Sequence, residues 1–285
     1  MKNDSEQSGH GLAADVDRML GMAASRRKSL RWLLAGAALP MAGCSGGAAI
    51  TGSAGGALDA TAASGSTASP GCAVIPDETA GPFPADGTNS SAGGVANALA
   101  LAGVVRSDIR SSIAGARGVA AGIPLTIRLQ LVNVGAGCAS VAGAAVYAWH
   151  CDRAGGYSMY SSWITGENYL RGVQEADSKG ALSFTTVVPG CYPGRVPHVH
   201  FEVYPSLARA TSAANRIKTS QFTFPMAMLN EAYASPGYES SVRNLANISY
   251  ATDNVFNDGT TLQMASVSGS AAEGYVATLT VGVFL

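Results

Sequence analysis

Between positions 125 and 131 apolar and polar residues alternate one for one, with Leu125, Ile127, Leu129 and Leu131 interleaved by Thr126, Arg128 and Gln130. Period two belongs to an extended chain, whose successive side chains leave on opposite faces, so this stretch predicts a strand buried on one side. Val146 to His150, Leu182 to Val188, Val196 to Tyr204 and Tyr275 to Phe284 are further β-type runs. Turn residues punctuate them at Gly155-Gly156, Ser178-Lys179-Gly180, Pro189-Gly190, Pro193-Gly194 and Asp258-Gly259. Only Met226 to Tyr233 and Ser240 to Ala246 suit short helices. Many strands with little helix predict an all-β domain, a β-sandwich of two mixed sheets with long loops.

The N-terminal part has a different character. Ser25-Arg26-Arg27-Lys28-Ser29-Leu30-Arg31 sets an arginine pair before the apolar stretch Trp32 to Met41. That stretch is shorter than the roughly 20 residues a membrane-spanning helix needs, so residues 1–43 read as an export signal resembling the twin-arginine type. Leu39-Pro40-Met41-Ala42-Gly43-Cys44 resembles a lipoprotein cleavage box, which makes Cys44 the expected lipid attachment point and the membrane an expected partner. Simple cleavage near Ala42, freeing the protein, is the alternative. Residues 44–71 are almost all Gly, Ala, Ser and Thr, too poor in large apolar groups to offset the entropy of ordering, and read as a tether. The folded domain is expected over 72–285. An exported protein, periplasmic or on the cell surface, follows from this reading.

Charge excludes some partners. Residues 44–285 carry 12 basic and 15 acidic side chains, a balance of −3, and no basic cluster invites nucleic acid. The cysteines beyond the tether are Cys72, Cys138, Cys151 and Cys191. An even count in an oxidising compartment suggests two disulfides, with three pairings open. There is no Gly-x-Ser-x-Gly elbow, no phosphate-binding loop and no dinucleotide fingerprint.

The chemistry begins at His198-Val199-His200. On a strand these two imidazoles share a face, with Val199, Phe201 and Val203 on the other. Such a pair is a usable metal clamp, although taken alone it is more often a pair of structural histidines. Just before it, Cys191-Tyr192-Pro193-Gly194-Arg195-Val196 makes a tight turn able to fold Tyr192 over the histidine strand. A phenol ionises near pH 10 unless a cation helps it, and phenolate is a hard donor suited to ferric iron.

From Gly143 to Val203 the chain resembles the intradiol ring-cleavage dioxygenases, the family of protocatechuate 3,4-dioxygenase and catechol 1,2-dioxygenase. The resemblance rests on Gly143-Ala144-Ala145-Val146-Tyr147-Ala148-Trp149-His150-Cys151-Asp152, Gly156-Tyr157-Ser158, Leu170-Arg171-Gly172-Val173-Gln174 and the run Val188 to His200. It implies non-haem Fe(III) held by Tyr157, Tyr192, His198 and His200, with Tyr160 as the rival to Tyr157. It implies further that Tyr192 acts as the departing ligand and base, that Arg195 stabilises charge on the substrate, and that Gln221 supports the site. Gly81, Pro82 and Phe83 resemble a segment lining the substrate pocket. The expected reaction opens a catechol-type ring between its hydroxyls with O2, giving a muconate-type diacid.

Two other readings compete. An Fe(II) site of His198, His200 and Glu202 would need three successive same-face residues of one strand to reach one metal. A sandwich that binds aromatic compounds without turning them over would consume no oxygen.

Overall fold

The computed structural model describes residues 72–285. The expected export signal, tether and lipid attachment point at Cys44 lie outside the described residues. Chain order runs β1 (Asp86–Ser91), β2 (Gly94–Asn97), β3 (Pro124–Asn133), β4 (Ala139–Ser140), β5 (Ala145–Trp149), β6 (Arg171–Glu175), β7 (Ala181–Val187), β8 (His198–Tyr204) and β9 (Lys218–Thr223). Two short helices follow, α1 (Met226–Tyr233) and α2 (Glu239–Leu245), then β10 (Ser266–Ser270) and β11 (Gly274–Val283).

The strands form a mostly β architecture of several sheets, as the alternation predicts. One sheet runs β10-β11-β3, with β7 and β4 both paired to β3, and the other runs β6-β5-β8-β9. Two mixed sheets were expected, but only the first is mixed: β3 and β11 run parallel from Leu125 opposite Tyr275 to Asn133 opposite Val283. Every pair in the second sheet is antiparallel. A third, two-stranded sheet of β1 and β2 lies outside both.

Alternation places the core. Leu125, Ile127, Leu129 and Leu131 of β3 join Val199, Phe201 and Val203 of β8 and Val146 and Ala148 of β5 in one buried apolar cluster. The other face of the second sheet is covered too. Tyr147 and Trp149 of β5 pack there with Phe83, Ala85, Leu99, Tyr157 and Tyr192, so β8 is buried at all seven positions. The imidazoles of this strand therefore sit between two apolar layers rather than at a wet surface.

In α1, Met228, Leu229, Ala232 and Tyr233 make a buried stripe at helical spacing. The Tyr233 hydroxyl donates to Pro189 O at 2.9 Å, and Tyr238, between the helices, donates to Val188 O at 2.9 Å. These bonds fix the chain that leads into the Tyr192 turn.

One bridge, Cys72 to Cys138, ties the start of the described chain to the turn between β3 and β4, with Cα atoms 5.6 Å apart. The two disulfides expected are thereby corrected to one, because Cys151 and Cys191 are free and buried. Their thiols point at carbonyls instead, Cys151 at Gly190 O and Cys191 at Arg195 O, each at 3.4 Å.

His150 is buried, with Nδ1 2.7 Å from Cys151 O and Nε2 2.7 Å from the Thr186 hydroxyl. A carbonyl only accepts, so Nδ1 carries the proton and Nε2 accepts from Thr186. Burial, against a smaller opposing effect of the Cys151 carbonyl, lowers its pKa to about 4 from 6.5. The unfolded chain thus binds this proton first as pH falls. His150 stabilises the fold fully above pH 6.5 and loses that contribution progressively down to pH 4, roughly 3 kcal/mol in all. Denaturant titrations at pH 7 and pH 4.5 should register this loss. His150→Asn, which keeps a donor near Nδ1 but cannot take up the proton, should flatten it; an unchanged slope in the variant would assign the acid loss to other groups.

Candidate functional site

Each polar member of the site is delivered by a separate local device. Asp152, just past β5, closes a turn by accepting from the backbone N of Ala154 and of Gly156, both at 2.9 Å, while Gly155 N donates to Asp152 O at 3.0 Å. The turn needs glycine: Gly155 has φ +89°, and a Cβ there would stand 3.0 Å from Tyr192 Cβ. Tyr157 follows, with its backbone N on Ser161 Oγ at 3.0 Å. Tyr192 comes from the far side. Cys191 before it is held at both ends by α2, its N donating to Ser241 Oγ at 2.9 Å and its O accepting from Asn244 Nδ2 at 2.7 Å. His198 and His200 come from β8.

The four side chains meet. Nε2 of His198 lies 3.0 Å from His200 Nε2, 3.2 Å from Tyr192 Oη and 3.4 Å from Tyr157 Oη. Nδ1 of His198 is 2.7 Å from Val196 O, which fixes the proton there and leaves a lone pair on Nε2 aimed into the cluster. His200 is braced by Trp149, its register partner on β5, whose ring stacks on the imidazole at 5.0 Å and 3°.

Electrostatics keep the bare cluster neutral. Burial, followed by the Arg195 charge, holds both imidazoles well below their ordinary pKa. Burial likewise pushes the Tyr157 and Tyr192 phenols up. Burial also raises the Cys191 thiol to about 12, so it is no thiolate competitor.

Other expected residues fall around this point unevenly. Tyr160 is turned away, its hydroxyl donating to Asn89 Oδ1 at 2.6 Å and accepting from Ala85 N at 2.9 Å. Phe83 stacks on Tyr157 with centroids 4.8 Å apart. Gly81 and Pro82 shape the turn before it: Gly81 N donates to Thr79 Oγ1 at 3.0 Å, and Pro82 O accepts from Asn89 Nδ2. Gln221 is the register partner of His200, and its amide donates to Thr79 O at 2.8 Å while its Oε1 accepts from Arg195 Nη2 at 2.7 Å. Arg195 itself is 1% exposed and pairs with Asp253 through Nε at 2.9 Å. Glu202 turns to Tyr204, whose hydroxyl donates to it at 2.6 Å. Among the described residues no three His, Cys, Asp or Glu side chains gather as a metal site, which removes the support for a two-histidine, one-carboxylate centre.

Sequence reasoning missed Asp253, Arg171 and Trp149 as site components. For Trp149 a signal existed, since two residues before Cys151 on an alternating strand it must share the face of Tyr147. Asp253 lies in no recognisable motif.

The family model named Dioxygenase_C, described as Dioxygenase, matches residues 107–211, the span that contains Tyr157, Tyr192, His198 and His200. Over these residues the chain is similar to the intradiol ring-cleavage dioxygenase family. Members of this family typically use non-haem Fe(III) and take an aromatic substrate with O2. The fold agrees with that of an intradiol ring-cleavage dioxygenase from Tetranychus urticae, at TM-score 0.57 and 21% identity over 75% of this chain and 95% of that one. A second dioxygenase crystal structure gives the same values. The dioxygenase domain of a carbohydrate-binding fusion protein from Streptomyces sp. SirexAA-E, 21% identical over 75% of this chain and 99% of that one, has a TM-score of 0.47, too low to carry argument. No curated protein sequence matches the chain.

Proposed function

We propose that this chain is a non-haem iron(III) intradiol dioxygenase that opens catechol-type rings between the two hydroxyls with O2 to give muconate-type diacids. One observation carries the reading: Tyr157, Tyr192 and His200 converge on Nε2 of His198 within 3.4 Å. The donor set fits ferric iron. Two imidazoles are already neutral, one with its lone pair oriented by Val196 O, and two phenols offer hard oxygens that a trivalent cation would ionise. Two phenolates and a hydroxide would balance the metal's charge, which a buried site requires.

Bound iron would supply the Lewis acidity that makes a catechol reactive toward O2. The protein's residues divide the remaining work. Tyr157 stays put, because its backbone is tied to Ser161 and its ring lies against Phe83. Tyr192, carried by the Pro/Gly turn, is by the family resemblance the phenol that would move aside and take a proton from the diol at Oη. His198 and His200 are held by β8. Arg195 faces the negative charge that grows on the ring, supported by Gln221. Phe83, entering from the Gly81-Pro82 turn, walls the site against water.

Protein purified aerobically should contain stoichiometric iron and show a red-brown phenolate absorption that shifts when catechol or protocatechuate is added without air. With air it should consume O2 and yield a ring-opened product carrying both oxygen atoms. A colourless protein that consumes no O2 with either diol would refute the assignment.

A further inference from the structure

The Arg195 guanidinium is held at two of its three nitrogens. Nε donates to Asp253 Oδ2 at 2.9 Å and Nη2 to Gln221 Oε1 at 2.7 Å. Nη1 is buried and has no hydrogen-bond partner. A buried donor left unmade costs about 1–3 kcal/mol, so a free Nη1 inside an otherwise saturated pair needs a reason.

Asp253 is itself held from four directions. Its Oδ2 accepts from Val196 N at 2.8 Å as well as from Arg195, and its Oδ1 accepts from Val255 N at 2.8 Å and Phe256 N at 3.2 Å. All four partners are donors, two on each oxygen, so only a carboxylate satisfies them; an amide would set its NH2 against two of them. Asp253 is fully buried, and the ring of Phe256, whose backbone N donates to it, lies 5.8 Å from the Arg195 Cζ, against the guanidinium face. A rigid turn 58 residues downstream thus sets both the tilt and the rotation of the arginine.

We propose that Asp253 is a positioning residue, which fixes the Arg195 guanidinium so that Nη1 is presented to an anionic oxygen of the substrate. The inference rests on the dioxygenase reading above and adds to it the residue that aims the arginine. Two features separate aiming from simple bracing of the 249–258 segment. The bonds run to one edge of the guanidinium and leave a defined nitrogen free, and the same carboxylate binds Val196 N, so the arginine is referenced to the backbone at the start of the histidine strand.

The test uses the full iron-loaded chain. Asp253→Asn should lower kcat for catechol about 100-fold, the scale of a misplaced catalytic group. Iron content, visible absorption and the Kd for anaerobic catechol should each change less than about threefold, because the lost interaction strengthens only as charge builds. Melting of the iron-free chain reports folding separately. In an Arg195→Met background, Asp253→Asn should add less than about threefold to the loss, since the residue acts through the arginine. A wild-type kcat in Asp253→Asn, or losses that multiply in full, overturns the proposal while leaving the dioxygenase reading intact. A wild-type chain that consumes no O2 sinks both. Should Asp253→Asn fail to fold, Asp253→Glu keeps the charge and shifts the carboxylate by one methylene. Full activity there overturns positioning; a kcat loss that does not multiply with Arg195→Met supports it.

Discussion

Phenylalanine at position 157 is expected to leave a folded chain that neither retains iron nor opens a ring. The substitution deletes one hydroxyl and keeps the ring contacts to Phe83 at 4.8 Å, Tyr192 at 5.9 Å and His200 at 6.2 Å. In the metal-free chain that hydroxyl makes a long 3.4 Å approach to His198 Nε2 and an interaction with the Tyr192 phenol, so its loss should move folding stability by only about 1 kcal/mol. With iron the balance changes, because one phenolate and one hydroxide leave a positive charge in a buried site. Iron affinity should fall by more than about 100-fold, the upper figure for losing an outer partner of a metal ligand. Colour and O2 uptake should vanish together while the melting curve of the iron-free protein stays in place. Tyr160→Phe is the control, since that hydroxyl serves Asn89 and Ala85 and should leave iron and colour unchanged. Iron and turnover retained in Tyr157→Phe would break the ligand assignment.

This contrast between neighbouring tyrosines also marks where sequence reasoning works. Alternation located β3, because a half-buried strand writes its geometry directly into residue order, and β-type runs located β5, β7, β8 and β11. It also put His198 and His200 on one face. What alternation cannot reveal is what covers that face. Residues 83–104 and the Tyr157 and Tyr192 loops bury it, so β8 lacks the solvent-exposed side that a sandwich strand usually keeps, and its His198, His200 and Glu202 are buried. Arg195, beside a Pro/Gly turn, reads as a solvated charge; it is buried because Asp253 meets it from a loop 58 residues on, a pairing no local pattern encodes. The cysteine count misled for a related reason. Parity favours two bridges, but Cys151 and Cys191 are each engaged by a carbonyl of the site's own turns.

Arg171 is the largest case of a residue whose role lies in the tertiary structure alone, and replacing it should cost the most stability. It begins β6 and is 1% exposed. Its Nε donates to Ser158 Oγ at 3.1 Å and its Nη2 to Ser158 O at 2.9 Å; its Nη1 reaches Phe83 O and Pro84 O, both at 3.0 Å. One planar fork therefore joins the loop carrying Tyr157 to the segment carrying Phe83, the two aromatic rings that stack beside the cluster. Arg171→Met fills a similar volume but strands several buried acceptors at once, and should destabilise the chain by roughly 4–5 kcal/mol. Denaturant unfolding measures this. Arg171→Lys keeps the charge without the fork, can satisfy only part of the set, and should fall between. Because the clamp holds the Tyr157 loop rather than the histidines, any folded Arg171→Lys protein should lose iron faster than wild type under a chelator. Equal stability in Arg171→Met would mean that the two segments are held by their apolar packing, and that the buried guanidinium is replaceable.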